Sequence, residues 1–163
     1  MATTRLPPDF RELLQLLAEK DVRFLVIGGY AVAYHGYARA TVDLDIWVGP
    51  GEENAKRLAD AVRGFGLGGP DISPELFMDP DSIVQFGVPP LRLKFHTTIS
   101  GVTFDECYDQ RDVARIDDVE IPFIDLEHLK ANKRASGRPK DRVDVRELSS
   151  PDLRRGRRPK RPS

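Results

Sequence analysis

From Thr41 to Val48 the chain reads Thr-Val-Asp-Leu-Asp-Ile-Trp-Val, an alternation of polar and apolar residues. A period of two demands a strand with one buried face, because successive side chains leave a sheet on opposite sides. Leu44 and Ile46 therefore belong to a core, while Asp43 and Asp45 project together from the other face. Just upstream, Arg23-Phe-Leu-Val-Ile27 reads as a short buried strand and stops at Gly28-Gly29. Tyr30 to Tyr37, rich in alanine and aromatic residues, suits a short helix packed against the sheet. Asp-x-Asp or Gly-Gly alone is common. The order strand, Gly-Gly, short helix, Arg39-x-Thr41 and a strand bearing two carboxylates is far more specific.

The flanking sequence supplies the remaining layers. Pro7-Pro8-Asp9 followed by Phe10, Leu13, Leu14, Leu16 and Leu17 predicts a capped amphipathic helix ending near Asp21, and Ala55, Leu58, Ala59 and Val62 predict another over Glu52 to Phe65. Asp71 to Asp81 reads as irregular or as a short helix. Ser82 to Gly87 and Leu91 to Thr97 are candidate strands, Ala114 to Asp125 a hairpin turning at Asp117-Asp118, and Leu126 to Ser136 a helix. Gly137-Arg-Pro139 interrupts that helical pattern, which resumes over Asp141 to Leu148. The expectation is an α/β (α+β) fold, a mixed sheet flanked by helices.

A length of 163 residues with 40% hydrophobic content suffices for one core and not for two ordinary domains. Residues 1–149 are expected to form that single domain. Between Asp152 and Arg161 six cations face one acid, so the chain before them carries about −6 against an overall −1. Residues 150–163 therefore read as a basic, disordered tail, suited to phosphates or simply solubilising. No apolar run is long enough to span a membrane, and the default address is the cytoplasm. Cys107, the single cysteine, is expected to be a half-buried small residue. His35 and His128 lack metal-ligand spacing, which disfavours zinc.

Two carboxylates at one sheet edge suit a hard divalent cation shared with substrate phosphates, and Gly28-Gly29 leaves backbone N–H groups free to receive a triphosphate. Phe24 to Val48 resembles the N-terminal signature of the DNA-polymerase-beta-type nucleotidyltransferases, in which a Gly-Gly or Gly-Ser turn precedes two metal-binding aspartates. Asn132 to Asp144 (Asn-Lys-Arg-Ala-Ser-Gly-Arg-Pro-Lys-Asp-Arg-Val-Asp) resembles the C-terminal helix pair of small bacterial members, including the abortive-infection toxin group. The resemblance implies a nucleotidyltransferase fold in which Gly28 and Gly29 cradle the nucleotide phosphates and Asp43 and Asp45 bind magnesium, with manganese as the alternative ion. It also implies Lys133 near the triphosphate and Arg39 as a second cation, in the Arg39-x-Thr41 segment.

One position departs from that pattern. Active members carry a third carboxylate on a later strand, and the matching position here is Lys94, within Leu91-Arg-Leu-Lys-Phe-His-Thr97. Lys94 could pair with Asp43 or Asp45 in place of a metal, or bind triphosphate or a polyanionic acceptor, or the alignment could shift so that Asp105 or Glu106 supplies the carboxylate. Arg92, Lys94 and His96 share one face by period two. His96 reads either as a base or as a residue hydrogen-bonded at a strand end. Trp47, on the Asp45 face, reads as packing rather than base stacking. Lys130, Lys133, Arg134, Arg138 and Lys140 read as a solvated helix face, with Lys133 balanced evenly between that reading and a functional one, and Asp141 and Asp144 as partners for Arg138 or Lys140.

Two functions follow. One is metal-dependent transfer of a nucleotidyl group from a nucleoside triphosphate to a hydroxyl, on tRNA, protein or a small molecule, using Asp43, Asp45 and Lys94. The other is a catalytically degenerate binding or regulatory module, with a cognate toxin or antitoxin as partner.

Overall fold

The computed structural model describes residues 6–38, 40–41, 43–67, 71–88 and 91–150. Six helices run as α1 (Pro8–Glu19), α2 (Gly28–Tyr34), α3 (Glu52–Phe65), α4 (Phe104–Asp109), α5 (Leu126–Ser136) and α6 (Pro139–Leu148). The strands are β1 (Phe24–Ile27), β2 (Asp43–Val48), β3 (Ile83–Phe86), β4 (Arg92–His96), β5 (Asp112–Ile116) and β6 (Val119–Phe123). Asp71 to Asp81 contains the 3-10 turn Pro74–Phe77.

The strands make a single mixed sheet in the order β3-β4-β2-β1-β6-β5. Two hairpins, β3-β4 and β5-β6, flank an antiparallel centre of β1 and β2, and each hairpin joins that centre through a parallel pairing. The β5-β6 turn falls at Asp117-Asp118 as the sequence predicts. Both residues have positive φ, 51° and 69°, the conformation that a tight hairpin with right-handed strand twist requires.

The core lies on the apolar faces. Phe10, Leu13, Leu14 and Leu17 of α1 and Leu58, Ala59 and Val62 of α3 are buried, as their helical spacing predicts, with Leu44, Ile46, Leu93 and Phe95 beneath them on the sheet. Phe95 packs edge-on against Phe77 and Phe86. Fully burying an aliphatic or aromatic side chain contributes about 1.5–3 kcal/mol, so this layer supplies most of the driving force for the sheet. On the opposite face Trp47 meets Phe104 of α4 edge-to-face and donates its indole N–H to Thr97 O at 3.4 Å, the packing role expected of it.

Gly137-Arg138-Pro139 interrupts the helical pattern as the sequence predicts: Gly137 adopts φ 70° past the end of α5, and α6 resumes the pattern from Pro139, since proline is well placed at a first helical position. Two other expectations need correction. Cys107 is fully buried rather than half-buried, and burial pushes its thiol up to about 12, with Asp125 and Glu106 adding to the effect. Lys130 and Lys133 are buried rather than solvated. Among the described residues no helix is long and apolar enough to cross a membrane. The basic segment from residue 151 onward lies outside the described residues.

Candidate nucleotide-binding site

The site is built by the register of two parallel strands. β2 and β4 place Asp43 beside Arg92, Asp45 beside Lys94 and Trp47 beside His96. Both strands keep Leu44, Ile46, Leu93 and Phe95 in the core, so the polar residues between them share the outer face. Beyond β4, Gln85 pairs with Lys94 and Ile83 with His96, which extends that face to the sheet edge.

Each carboxylate is held by a basic side chain. Arg92 donates to Asp43 from two nitrogens, Nε to Oδ1 at 2.8 Å and Nη2 to Oδ2 at 3.1 Å, and Lys94 Nζ lies 3.4 Å from Oδ2. The Arg92 hydrogen bond, opposed by burial and helped by Lys94, lowers the Asp43 carboxyl below its ordinary value. The same hydrogen bond raises the Arg92 guanidinium. His96 Nε2 lies 2.8 Å from Asp45 Oδ1. The alternative carboxylates are elsewhere: Asp105 and Glu106 sit on α4, where Asp105 lies 3.6 Å from Arg23 and Glu106 accepts from Thr103 Oγ1 at 2.8 Å. Lys94 is thus the residue that stands next to Asp45.

Gly28 and Gly29 make room for this face. Gly28 has φ +68°, and a Cβ there would fall 2.5 Å from Asp45 Oδ2; a Cβ on Gly29 would fall 2.5 Å from Thr41 Oγ1. Only residues without side chains let Asp45 and Thr41 approach so closely. The Thr41 hydroxyl donates to Asp43 O at 3.3 Å, tying the entry of β2 to its own backbone. Arg39 lies outside the described residues.

Lys133 is placed apart from this face, in the hairpin of α5 and α6. Its ammonium lies 3.0 Å from Asp141 Oδ1 and 3.1 Å from Asp144 Oδ2, and the three side chains are between 2% and 8% exposed. Ser136 Oγ and Arg138 Nε also donate to Asp141 Oδ2, at 2.6 and 2.9 Å. Burial alone would raise the Asp141 carboxyl, but these hydrogen bonds and the Lys133 charge outweigh it and hold the group at about 2. Of the cations foreseen for Asp141, Arg138 pairs as expected and the buried Lys133 joins it.

Two other histidines serve the frame. His35 donates Nε2–H to Ile124 O at 2.7 Å, linking the end of α2 to the end of β6. His128 Nδ1 lies 2.6 Å from Asp125 Oδ1 at the start of α5.

Magnesium or manganese, which the resemblance implies at Asp43 and Asp45, does not fit the residues present. Such an ion fills most of its near-octahedral shell with waters and substrate phosphates but still needs one or two carboxylates with an oxygen free to bind it. Both oxygens of Asp43 are taken by Arg92 and Lys94, one oxygen of Asp45 faces His96, and the other packs on Gly28. Among the described residues no group of three or more His, Cys, Asp or Glu side chains is arranged to hold a metal ion.

Sequence reading missed Arg92 as a site residue. Its signal was present, since period two places it with Lys94 and His96, but the bidentate pairing depends on a strand register that one sequence does not reveal.

No protein-family model matches the sequence, nor does any curated protein. Solved structures do. TM1012 from Thermotoga maritima, assigned as a nucleotidyltransferase, superposes with a TM-score of 0.57 at 15% identity over 85% of this chain and 88% of that one. The lincosamide antibiotic adenylyltransferase LnuA, solved with lincomycin, gives 0.55 at 16% identity over 91% and 99%. ANT(2")-Ia, solved with adenylyl-2"-tobramycin, gives 0.52 at 15% identity over 85% and 84%. With its six-stranded mixed sheet, flanking helices and paired aspartates beside Gly28-Gly29, this chain has the nucleotidyltransferase fold.

Proposed function

We propose that the protein is a nucleotide-binding module on the nucleotidyltransferase fold, which receives a nucleoside triphosphate on the outer face of β2 and β4 through protein cations rather than through a divalent metal. The observation that carries this reading is the pairing of Asp43 with Arg92 and Lys94. An arginine has five N–H donors and an ammonium three. Arg92 spends two donors on Asp43 and Lys94 one, so three and two remain, on side chains 29% and 27% exposed. Those spare donors are the chemistry that phosphate oxygens require, and charge-assisted bonds of this kind are worth about 1.5–3 kcal/mol each. Asp43 holds the two cations at fixed positions, which lowers the ordering cost of binding.

A second reading is nucleotidyl transfer to a hydroxyl, with tRNA, a protein or a small molecule as acceptor. The likeness to two adenylyltransferases solved with antibiotic-derived ligands favours it. A regulatory module of this kind also suits a toxin or antitoxin pair, in which the bound nucleotide would govern association with the cognate partner.

Calorimetry with nucleoside triphosphates in the presence of EDTA separates the readings. Binding is expected without added metal, weakened at least tenfold in Lys94→Ala. In Lys94→Asp, binding is expected to become dependent on magnesium. Wild-type binding that appears only when magnesium is supplied would overturn the proposal.

A further inference from the structure

We propose that His96 is a nucleophile that accepts a nucleotidyl group from the bound triphosphate. The inference rests on the triphosphate-binding reading above and adds a covalent step to it. His96 stands on the same face of β4 as Lys94 and Arg92, with Ile83 and Trp47 as its cross-strand neighbours. Successive residues on one strand face are about 7 Å apart, a spacing that a triphosphate chain can bridge. A phosphorus beside His96 therefore leaves the distal phosphates towards the spare donors of Lys94, with Arg92 a second such step further along β4.

The imidazole is oriented for attack. Asp45 Oδ1 lies 2.8 Å from Nε2, and Asp45 is itself wedged against Gly28, where a Cβ would come within 2.5 Å of Oδ2. A carboxylate on one ring nitrogen fixes the tautomer, with the proton on Nε2 and the lone pair on Nδ1. Among the described residues no hydrogen bond reaches Nδ1. The side chain is 17% exposed, open to a ligand yet largely out of water. A nucleophile, an orienting acid and a neighbouring cation for the leaving group form the set that covalent phosphoryl transfer needs.

The step balances. The Nδ1 lone pair forms a bond to the α-phosphorus, and the bond from that phosphorus to the bridging oxygen of the β-phosphate breaks. Pyrophosphate leaves with the electron pair, its charge met by Lys94. The imidazole, substituted at Nδ1 and protonated at Nε2, is cationic and remains against Asp45. Attack by a hydroxyl or water oxygen on phosphorus then breaks the P–N bond, returns the pair to Nδ1, and releases the acceptor's proton to solvent.

The experiment incubates the full chain with each common nucleoside triphosphate labelled at the α-phosphorus, in EDTA, and measures protein-bound label and released pyrophosphate beside calorimetric binding. The expected result is label that survives alkali and is lost in mild acid, as a phosphoramidate must be. His96→Gln and His96→Asn should each remove it, with triphosphate binding measured alongside, and Asp45→Asn should slow it at least tenfold. Label at the γ-phosphorus should not transfer. Wild type that binds triphosphate but takes no label overturns the inference and leaves the binding reading standing. Acid-stable label, or label that persists in both His96 variants, also overturns it. Absence of triphosphate binding in the wild type removes the binding reading and this inference together.

Discussion

The molecule contains two clusters in which two aspartates meet basic side chains, and they differ in burial. In the α5-α6 hairpin, Lys133, Asp141 and Asp144 are at most 8% exposed, and Ser136 and Arg138 complete the hydrogen bonding of Asp141. On the sheet face, Asp43, Asp45, Arg92, Lys94 and His96 are between 17% and 29% exposed, and Arg92 and Lys94 keep donors unspent. A buried cluster with matched partners locks two helices together, whereas a half-open cluster with surplus donors can take a further anion. Similar residue types thus serve architecture in one place and, in the function proposed above, recognition in the other.

The sharpest way to break this contrast is to remove the buried cation. Lys133→Met removes the ammonium that the buried Asp141 and Asp144 share and leaves Ser136 and Arg138 on Asp141, and breaking a buried pair in this way costs about 3–5 kcal/mol. Urea unfolding should show that loss; a loss below about 1 kcal/mol would mean that the hairpin is not locked by charge. Next in size is an acid effect from Asp141. Its folded-state value of about 2 lies below the ordinary 3.8, so its stabilisation is full above 3.8 and disappears as pH falls towards 2. The amount is about 2 kcal/mol, and Asp141→Asn should flatten the stability profile over that interval.

Smaller effects are expected on the sheet face. Gly28→Ala imposes a left-handed conformation on a residue with a Cβ, at about 1–2 kcal/mol, and pushes against Asp45 as well. Thermal unfolding measures the first effect, and weakened triphosphate binding in the same variant reports the second. Arg92→Ala should change stability by no more than about 1 kcal/mol, because its pair with Asp43 is partly open to water. It should nevertheless weaken triphosphate binding at least tenfold. If Arg92→Ala proved as destabilising as Lys133→Met, with binding unchanged, the distinction between the two clusters would collapse.

Much of the fold was legible because its signals are local. The alternation of β2, the stop at Gly28-Gly29 and the apolar spacing of α1 and α3 each depend on a few neighbouring residues, and each element appears within a few residues of its predicted bounds. The pairing of Asp45 with Lys94 was approachable because period two fixes which side chains of β4 can face β2. The bond between Asp43 and Arg92 was not, since it needs the register. Lys133 failed for another reason. Its neighbours Lys130 and Arg134 make the helix look solvated, and only the docking of α6 across α5 turns Lys133 inward. The interruption at Gly137-Arg138-Pro139 is legible too, with α6 starting two residues ahead of the predicted Asp141 because proline suits a first helical position.

The sheet order carries a consequence of its own. Arg92, Lys94 and His96, together with Gln85 and Ile83, all belong to the β3-β4 hairpin, which joins the rest of the sheet only through β2. The glycines and aspartates belong to the sheet's centre. The groups proposed to meet phosphate charge therefore form an exchangeable cassette: grafting a hairpin with a carboxylate at the Lys94 position would change the ionic chemistry of the face while leaving Asp43, Asp45 and the frame around Gly28 in place.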